Sequence, residues 1–166
     1  PADIYIICVP TPFDTETKTP DTRFVFDALA SILDLLKFGD VVIIESTCPV
    51  GTTEKLFAEI CTSRTDLYDE HEDRMNVHLA YCPERILPGN VFEELVNNSR
   101  VIGGITNECG LAASLFYNQF VKGEIVIASS ANTAELAKLS ENAFRDVNIA
   151  FANELANIAD EISVPI

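Results

Sequence analysis

The chain has 166 residues, of which 48% are hydrophobic, and it carries a formal net charge of −15. A charge of this sign would repel the phosphates of nucleic acids and of anionic membranes, which argues against both as non-specific partners. The five cysteines include no C-x-x-C pair and there are only two histidines, so the sequence favours neither a disulfide scaffold nor a metal centre and is typical of a reducing cytoplasm.

Predicted strands and helices alternate along the chain. Short apolar runs predict strands at residues 4–9, 41–45, 77–81, 100–103 and 124–128. Other segments predict helices at residues 23–37, 53–61, 92–96 and 108–120, with Thr52 as the cap of the second. Two polar segments, 13–21 and 63–76, are predicted loops. The regular alternation predicts an α/β fold with a Rossmann-like, mostly parallel sheet and helices on both faces.

The first predicted strand, Ile4-Tyr5-Ile6-Ile7-Cys8-Val9, is a continuous run of mainly β-branched residues. Such a run is typical of a strand buried on both faces of a parallel sheet. A domain rarely begins with a central strand, and no G-x-G-x-x-G turn occurs anywhere in the chain. We therefore expect a piece of a longer protein, in which the first βαβ unit and its pyrophosphate-binding turn lie outside this sequence.

Unusual residues follow each of the first three predicted strands. The three segments are Val9-Pro10-Thr11-Pro12, Ser46-Thr47-Cys48-Pro49-Val50-Gly51-Thr52-Thr53 and Pro83-Glu84-Arg85-Ile86-Leu87-Pro88-Gly89. Proline fixes the loop backbone, threonine hydroxyls can bind a ribose or a phosphate, and Gly51 precedes a helix whose N–H groups could face an anion. Each loop alone is compatible with ordinary turn chemistry. Because ligands of open α/β sheets bind off the carboxyl ends of the strands, the three together predict a dinucleotide or nucleotide-sugar cleft.

The last predicted element is a helix without Pro or Gly from Ala134 to about Ile162. A helix of roughly thirty residues is about 45 Å long, which is typical of an element that runs through the middle of a molecule or between domains. Lys138, Asn142 and Arg145 share one face at i, i+4 and i+7.

Such a row could bind a phosphate, hydroxyls or a developing oxyanion. The alternative is an ordinary solvated helix face. Three acidic residues near this row, Glu135, Glu141 and Asp146, are predicted to lie on other faces of the helix.

A series of motifs in this chain resembles the UDP-sugar 6-dehydrogenases. In order they are Val9-Pro10-Thr11-Pro12-Phe13, Glu45-Ser46-Thr47-x-Pro49-Val50-Gly51, Tyr81-Cys82-Pro83-Glu84-Arg85-Ile86-Leu87-Pro88-Gly89, Arg100-Val101-Ile102-Gly103-Gly104, Thr133-Ala134-Glu135, Lys138-Leu139 and residues 141–155. The Pro-Glu-Arg-Ile-Leu-Pro-Gly segment resembles the corresponding segment of the family branch that acts on UDP-N-acetyl-D-mannosamine. It differs from the corresponding segment of the UDP-glucose branch.

The resemblance implies an enzyme that oxidises the C6 hydroxymethyl group of a UDP-sugar to a carboxylate with NAD as the cofactor. It assigns cofactor binding to Thr11, Thr47 and Thr53; substrate binding to Glu84, Arg85, Ile86, Lys138, Asn142 and Arg145; and catalysis to Lys138 and Asn142. It implies a partial NAD-binding domain at residues 1–130, and at 131–166 a long central helix through which a homodimer forms. It also implies a cytoplasmic role in the synthesis of a bacterial surface polysaccharide.

In the family the nucleophilic cysteine lies in a Gly-Gly-His-Cys segment, which this chain lacks. Cys48 and Cys82 lie at the ends of predicted strands near the cleft, but we do not assign the nucleophile to either. We therefore expect the chain alone to be inactive. Two alternatives stay open: a 6-dehydrogenase of UDP-glucose or of another UDP-N-acetylhexosamine, and a non-catalytic, self-associating scaffold.

Overall fold

The computed structural model describes residues 1–16, 18–69, 71–72, 74–86 and 89–165. In chain order its elements are β1 (Ile4–Ile7), β2 (Phe13–Asp14), β3 (Thr19–Pro20), α1 (Arg23–Ile32), β4 (Val41–Ile44), α2 (Thr52–Ser63), β5 (Tyr68–Asp69), β6 (Arg74–Met75), β7 (His78–Tyr81), α3 (Val91–Asn97), β8 (Arg100–Gly104), α4 (Asn107–Tyr117), β9 (Ile125–Ile127) and α5 (Ala131–Glu161). Single 3-10 turns follow α1 and α2 at Leu33–Leu35 and Thr65–Leu67.

The five longer strands form one sheet in the order β1-β4-β7-β8-β9. Neighbouring strands are parallel except β7 and β8, which are antiparallel. The predicted α/β fold with a mostly parallel sheet is therefore confirmed. Within the two segments predicted as loops, β2 pairs with β3 and β5 pairs with β6 in separate two-stranded hairpins.

Successive side chains of a strand point to opposite faces of the sheet, and in β4 both sets are apolar. Helices therefore pack on both faces. Val42 and Ile44 of β4 pack with residues of α1, α2 and the beginning of α5. Val41 and Ile43 pack on the opposite face with residues of α4. The four residues of β4 are all buried, as the sequence predicts for a central strand.

The first strand lies at the edge of the described sheet, so this structure does not test the burial on both faces that its sequence predicts within a longer protein. β1 pairs only with β4 and is the edge strand of the sheet. Ile7 is buried, but Ile6 is 41% exposed. The apolar run is long enough for a central strand, yet its other side has no strand among the described residues.

The beginning of α2 also differs from the prediction. Thr52 is not the cap but the first residue of the helix, and the cap is Gly51, whose φ of 89° lies in the left-handed region that favours glycine. The Thr52 hydroxyl donates instead to the carbonyl of Pro49, at 2.7 Å.

α5 is a continuous helix of 31 residues whose N-cap is Ser130. Its first turn lies against β8 at Gly103, where a Cβ atom would come within 2.2 Å of the Ser130 carbonyl oxygen. Ala131 and Ala134 are buried at this contact. In the part of the chain that the structure describes, no helix is both long enough and apolar enough to cross a membrane.

Candidate active site

A pocket of about 230 Å³ lies at the carboxyl ends of β1, β4 and β7, the edge at which the sequence predicts a ligand cleft. Its lining consists of Cys8, Val9, Glu45, Ser46, Thr47 and Glu84. Residues from all three predicted loops or the strand ends before them therefore meet around one cavity.

The first two loops are tied together by side-chain hydroxyls. The Ser46 hydroxyl accepts a hydrogen bond from the Val9 amide and donates to the Val9 carbonyl, both at 2.8 Å. The Thr11 hydroxyl donates to the Thr47 carbonyl at 2.7 Å. Thr11 and Thr47 are partly exposed at the site, in positions where a ligand hydroxyl or phosphate could reach them.

Thr53, which the family resemblance assigns to cofactor binding, lies deeper in the protein and is fully buried. Its amide and its hydroxyl both donate to one oxygen of the Glu135 carboxylate, at 2.9 and 2.7 Å. The Gly51 amide donates to the other oxygen at 2.6 Å. The helix N-terminus that was expected to face a ligand anion is thus occupied by a carboxylate from α5.

This arrangement corrects the interpretation of Glu135 as one of several acidic residues away from the functional face. Glu135 is fully buried and connects α5 to the second loop. The N–H groups of a helix N-terminus bind anions well, and a buried carboxylate needs such donors. Helical spacing alone could not show which neighbouring helix supplies them.

Lys138 connects α5 to the third loop. Its Nζ donates to the carbonyl oxygen of Glu84 at 2.6 Å. Burial lowers the pKa of Lys138, the charges of Arg145 and Arg85 act in the same direction, and Glu84 and Glu141 oppose it. The beginning of the predicted basic row therefore faces the loop that follows β7, and it is not a bare solvated helix face.

The rest of the row is more open. Asn142 is partly buried and Arg145 is exposed. Arg85 is paired through Nη2 with the carboxylate of Glu141, and its Nη1 donates to the Ser99 carbonyl at 3.5 Å. Glu141 therefore contacts the third loop and does not lie away from it, which corrects the prediction for this residue.

The Glu84 carboxylate accepts a hydrogen bond from the amide of Ile86, two residues later. Glu84 is exposed, and Arg85 and Ile86 are partly buried. Leu87 and Pro88, which belong to the same predicted loop, lie outside the described residues. The structure thus brings Glu84, Arg85 and Lys138 together at the carboxyl edge of the sheet.

A larger cavity of about 600 Å³ opens at the opposite edge of the sheet, near the start of β7. Phe38, Phe57, Tyr68 and Met75 supply much of its apolar wall. None of the residues assigned to the site by the resemblance lines it, so the smaller pocket at the carboxyl edge is the candidate active site.

The sequence patterns do not identify two lining residues of the smaller pocket, Glu45 and Cys8. The Cys8 thiol donates to Glu45 Oε2 at 3.2 Å, and partial desolvation of the thiol together with this contact raises the pKa of Cys8 to about 12. Cys48 and Cys82, which were expected near the cleft, are buried, and burial raises the pKa of each to about 12. A carboxylate directly after an apolar strand and before Ser46-Thr47 is the signal that could have identified Glu45.

Comparison with known families gives two matches along the chain. Residues 1–121 match the NAD binding domain of the UDP-glucose/GDP-mannose dehydrogenase family, and residues 132–166 match the central domain of the same family. The pocket at the carboxyl edge lies in the first match, and Lys138 lies in the second.

Individual relatives agree with the family match. The chain is 51% identical over 166 residues to an NDP-N-acetyl-D-galactosaminuronic acid dehydrogenase of Ralstonia solanacearum, covering 99% of this chain and 39% of the relative. It is 51% identical over 162 residues to a UDP-N-acetyl-D-mannosamine dehydrogenase of Yersinia pestis, covering 96% of this chain and 38% of the relative.

Among solved structures, a UDP-D-ManNAc dehydrogenase from Pyrococcus horikoshii is similar to the chain with a TM-score of 0.88 and 41% identity, covering 98% of this chain and 37% of that one. The chain therefore spans less than two fifths of the length of this structure, and about the same share of its curated relatives.

Proposed function

The chain belongs to the UDP-glucose/GDP-mannose dehydrogenase family, and on that premise we propose that the protein is an NAD-dependent 6-dehydrogenase of UDP-N-acetyl-D-mannosamine. The product is UDP-N-acetyl-D-mannosaminuronate. The C6 hydroxymethyl group becomes a carboxylate, so four electrons leave as two hydrides to two NAD⁺, and one water molecule supplies the second carboxylate oxygen.

The observation that carries this proposal is the contact between Lys138 Nζ and the Glu84 carbonyl. It holds an amine with a lowered pKa at the carboxyl edge of the sheet. A larger neutral fraction of Lys138 lets it accept a proton from the C6 hydroxyl, and its charged form stabilises an alkoxide. Asn142, one turn further on the same face, could donate to the same oxygen.

The pocket residues fit a ribose-bearing cofactor, because hydroxyl and carboxylate oxygens are the groups that bind ribose hydroxyls. Thr11 and Thr47 would hold this part of the cofactor. Thr53 would act only indirectly, since its hydroxyl binds Glu135. NAD, when bound, supplies the hydride acceptor; the residues of this chain bind it, orient the sugar and move protons.

The test is the rate of NADH formation by the full-length protein with UDP-N-acetylmannosamine, UDP-N-acetylgalactosamine, UDP-N-acetylglucosamine and UDP-glucose. We expect the highest kcat/KM with the first sugar. Lys138→Ala should lower kcat by about 100-fold or more, the range for loss of a general acid/base. Lys55→Ala, which removes an exposed lysine on α2, is the matched control. An unchanged kcat in Lys138→Ala would remove the assigned role of this residue.

A second candidate is oxidation of a nucleotide-linked N-acetylgalactosamine. It is favoured by the high identity to relatives that are named for N-acetyl-D-galactosaminuronic acid. The two candidates differ in the configuration of the hexose at C2 and C4, so the same series of substrates separates them. A higher kcat/KM with UDP-N-acetylgalactosamine than with UDP-N-acetylmannosamine would favour the second candidate.

The remaining parts of the proposal concern the whole protein. We place a partial NAD-binding domain at residues 1–130 and the long helix, as the beginning of a central domain, at 131–166. The chain alone should form no NADH from UDP-N-acetylmannosamine; NADH formation by the isolated chain would contradict this. We further propose a cytoplasmic enzyme that supplies a bacterial surface polysaccharide.

The long helix exposes Phe144, Phe151, Leu155 and Ile158, and we propose that it forms the contact of a homodimer. Phe151→Glu should shift the full-length protein from dimer to monomer in sedimentation analysis. If the protein associates but binds neither NAD nor a UDP-sugar, the non-catalytic scaffold becomes the better description.

A further inference from the structure

Glu45 stands at the floor of the candidate site, and its carboxylate is held from both sides. It follows β4 directly and lines the pocket with Thr47 and Glu84. From the protein interior the Tyr117 hydroxyl donates to Glu45 Oε1 at 2.6 Å. From the pocket side the Cys8 thiol donates to Oε2 at 3.2 Å.

A buried cation lies behind this carboxylate. Arg100 is 1% exposed, and its Nη1 lies 3.9 Å from Glu45 Oε1. Its guanidinium carbon is 5.2 Å from the centre of the Tyr117 ring, a distance at which a cation is attracted to the ring face. Among the described residues, neither Nε nor Nη1 of Arg100 has a hydrogen-bond partner.

An arginine is always charged, and a buried charge without a counter-ion is strongly unfavourable. The Glu45 carboxylate therefore lies where Arg100 needs an anionic neighbour, and the hydrogen bond from Tyr117 fixes the direction in which it points. Burial, with Cys82 and Glu45 nearby, raises the pKa of Tyr117, so its hydroxyl remains a donor.

Glu45 Oε2 has only a weak donor, a thiol, on the side that faces the pocket. A carboxylate oxygen can accept more than one hydrogen bond, and a ligand hydroxyl is a stronger donor than a thiol. The carboxylate is therefore already in place, and its Oε2 can accept a further hydrogen bond from the pocket.

We propose that Glu45 is a ligand-binding residue whose Oε2 accepts a hydrogen bond from a hydroxyl group of the bound nucleotide or sugar, with Tyr117 and Arg100 as positioning residues. This inference rests on the proposed function, which supplies two sources of that hydroxyl: the ribose of NAD and the hexose of the UDP-sugar. It adds Glu45 as a second carboxylate, beside Glu84, to the residues that the family resemblance assigns.

The test compares full-length protein with its Glu45→Gln variant, using calorimetric Kd values for NAD alone and for UDP-N-acetylmannosamine alone. We expect one Kd to rise on the order of tenfold, the scale of a hydrogen bond to a charged group. A rise for NAD assigns a ribose hydroxyl, and a rise for the sugar nucleotide assigns a hexose hydroxyl. Glu108→Gln, which removes a carboxylate paired with Arg74 at the opposite edge, should change neither Kd by more than about twofold.

Two further variants separate ligand binding from a structural role. Tyr117→Phe keeps the Glu45 carboxylate but removes the hydrogen bond that orients it. This variant should raise the Kd that Glu45→Gln raises, by a smaller factor, and leave the Kd of the other ligand unchanged. Glu45→Asp keeps the counter-ion for Arg100 but withdraws the oxygens by one methylene, so it should fold and bind that ligand weakly. If Glu45→Gln does not fold, Glu45→Asp decides.

Unchanged Kd values for both ligands in the folded Glu45 variants would overturn the inference. A wild-type protein that binds neither ligand would overturn the proposed function instead, since the inference needs a ligand that binds.

Discussion

The Glu135 carboxylate binds both the amide and the hydroxyl of Thr53, a residue 82 positions earlier in the chain, through a single oxygen at 2.9 and 2.7 Å. This contact joins the beginning of the long helix to the loop that carries Thr47. The same helix meets the third loop one turn later, through Lys138. α5 therefore aligns two of the three loops of the candidate site.

The first prediction concerns the stability of this contact. Glu135→Ala should lower the free energy of unfolding by about 2–4 kcal/mol, because it leaves buried N–H groups of α2 without an acceptor. Thr53→Val, which keeps the shape but loses one hydrogen bond, should cost about 1 kcal/mol. Denaturant unfolding measures both values.

The control uses another hydrogen bond between the same two helices. Asn132 donates to Glu54 at 2.8 Å on the exposed side of the contact. Glu54→Gln should change the free energy of unfolding by no more than about 0.5 kcal/mol. If Glu54→Gln and Glu135→Ala were equally destabilising, the burial of Glu135 would not be the source of the effect.

The sequence was sufficient to predict the fold because the apolar runs and the loops alternate so regularly. The parallel strands then place the three loops at one edge, which is why Thr47 and Glu84 were expected near each other. The prediction that Glu135 and Glu141 lie on other faces is wrong because of their helical spacing: Glu135 precedes Lys138 by three residues, and Glu141 follows it by three, so both border the face of the row. The spacing does not show which helix or loop packs against that face. The sequence shows Arg100 only as part of a motif, because the burial of an arginine depends on a counter-ion and an aromatic neighbour that only the fold brings close.

The second prediction concerns the close approach of α5 to the sheet. In Gly103→Ala the new Cβ would lie 2.2 Å from the Ser130 carbonyl oxygen and 2.8 Å from Ala131 Cα. Both atoms belong to the backbone, so α5 must move away from β8. The variant should lose several kcal/mol of stability, on the order of 2–4 kcal/mol, as in other overpacked cores.

Gly110→Ala is the matched control for this overpacking. Its Cβ would lie 3.3 Å from the Cγ2 methyl of Ile127 and 3.4 Å from the Gly104 nitrogen, far less close than at Gly103, and the position is helical. The better helix propensity of alanine should offset the tight contact to within about 1 kcal/mol. Thermal unfolding of the two variants compares them directly, and an equal loss would contradict the proposed role of Gly103.

The third prediction concerns the pH dependence of activity. The pKa of Lys138 is lowered mainly by burial, with Arg145 adding to the effect and Glu141 opposing it. If neutral Lys138 accepts the proton, kcat should rise with pH through this lowered pKa, below the usual 10.5 of lysine. Arg145→Ala removes a cation, so the rising limb should move to higher pH.

Glu141→Gln should move the same limb in the opposite direction, to lower pH, because it removes a carboxylate that favours the charged amine. Both profiles are measured at saturating substrate, so that weaker binding does not enter kcat. Shifts of the same sign in the two variants, or no shift in either, would show that the limb does not report Lys138.

The lowered pKa of Lys138 also predicts how the free energy of unfolding depends on pH. In the folded protein the lowered pKa means that Lys138 binds fewer protons than in the unfolded chain as the pH approaches 10.5. The free energy of unfolding should therefore increase with pH in that window, relative to Lys138→Met, and the difference should be constant at lower pH, where both states are protonated. A difference that decreases as the pH rises would contradict the direction of the shift.

The fourth prediction uses Cys8 as a reporter of Glu45. Partial desolvation of the thiol is the first cause of its raised pKa of about 12, and the hydrogen bond and charge of Glu45 are the next. Only the thiolate reacts with iodoacetamide, so Cys8 should react slowly at pH 8 although it is exposed. Glu45→Gln removes the carboxylate charge and should accelerate the alkylation of Cys8, as followed by peptide mass spectrometry.

The buried Cys48 is the control and should keep its alkylation rate, because its pKa is raised by burial and by Glu135 rather than by Glu45. Equal acceleration at both cysteines would indicate a general loosening of the fold, and no acceleration at Cys8 would mean that the two side chains do not interact in solution.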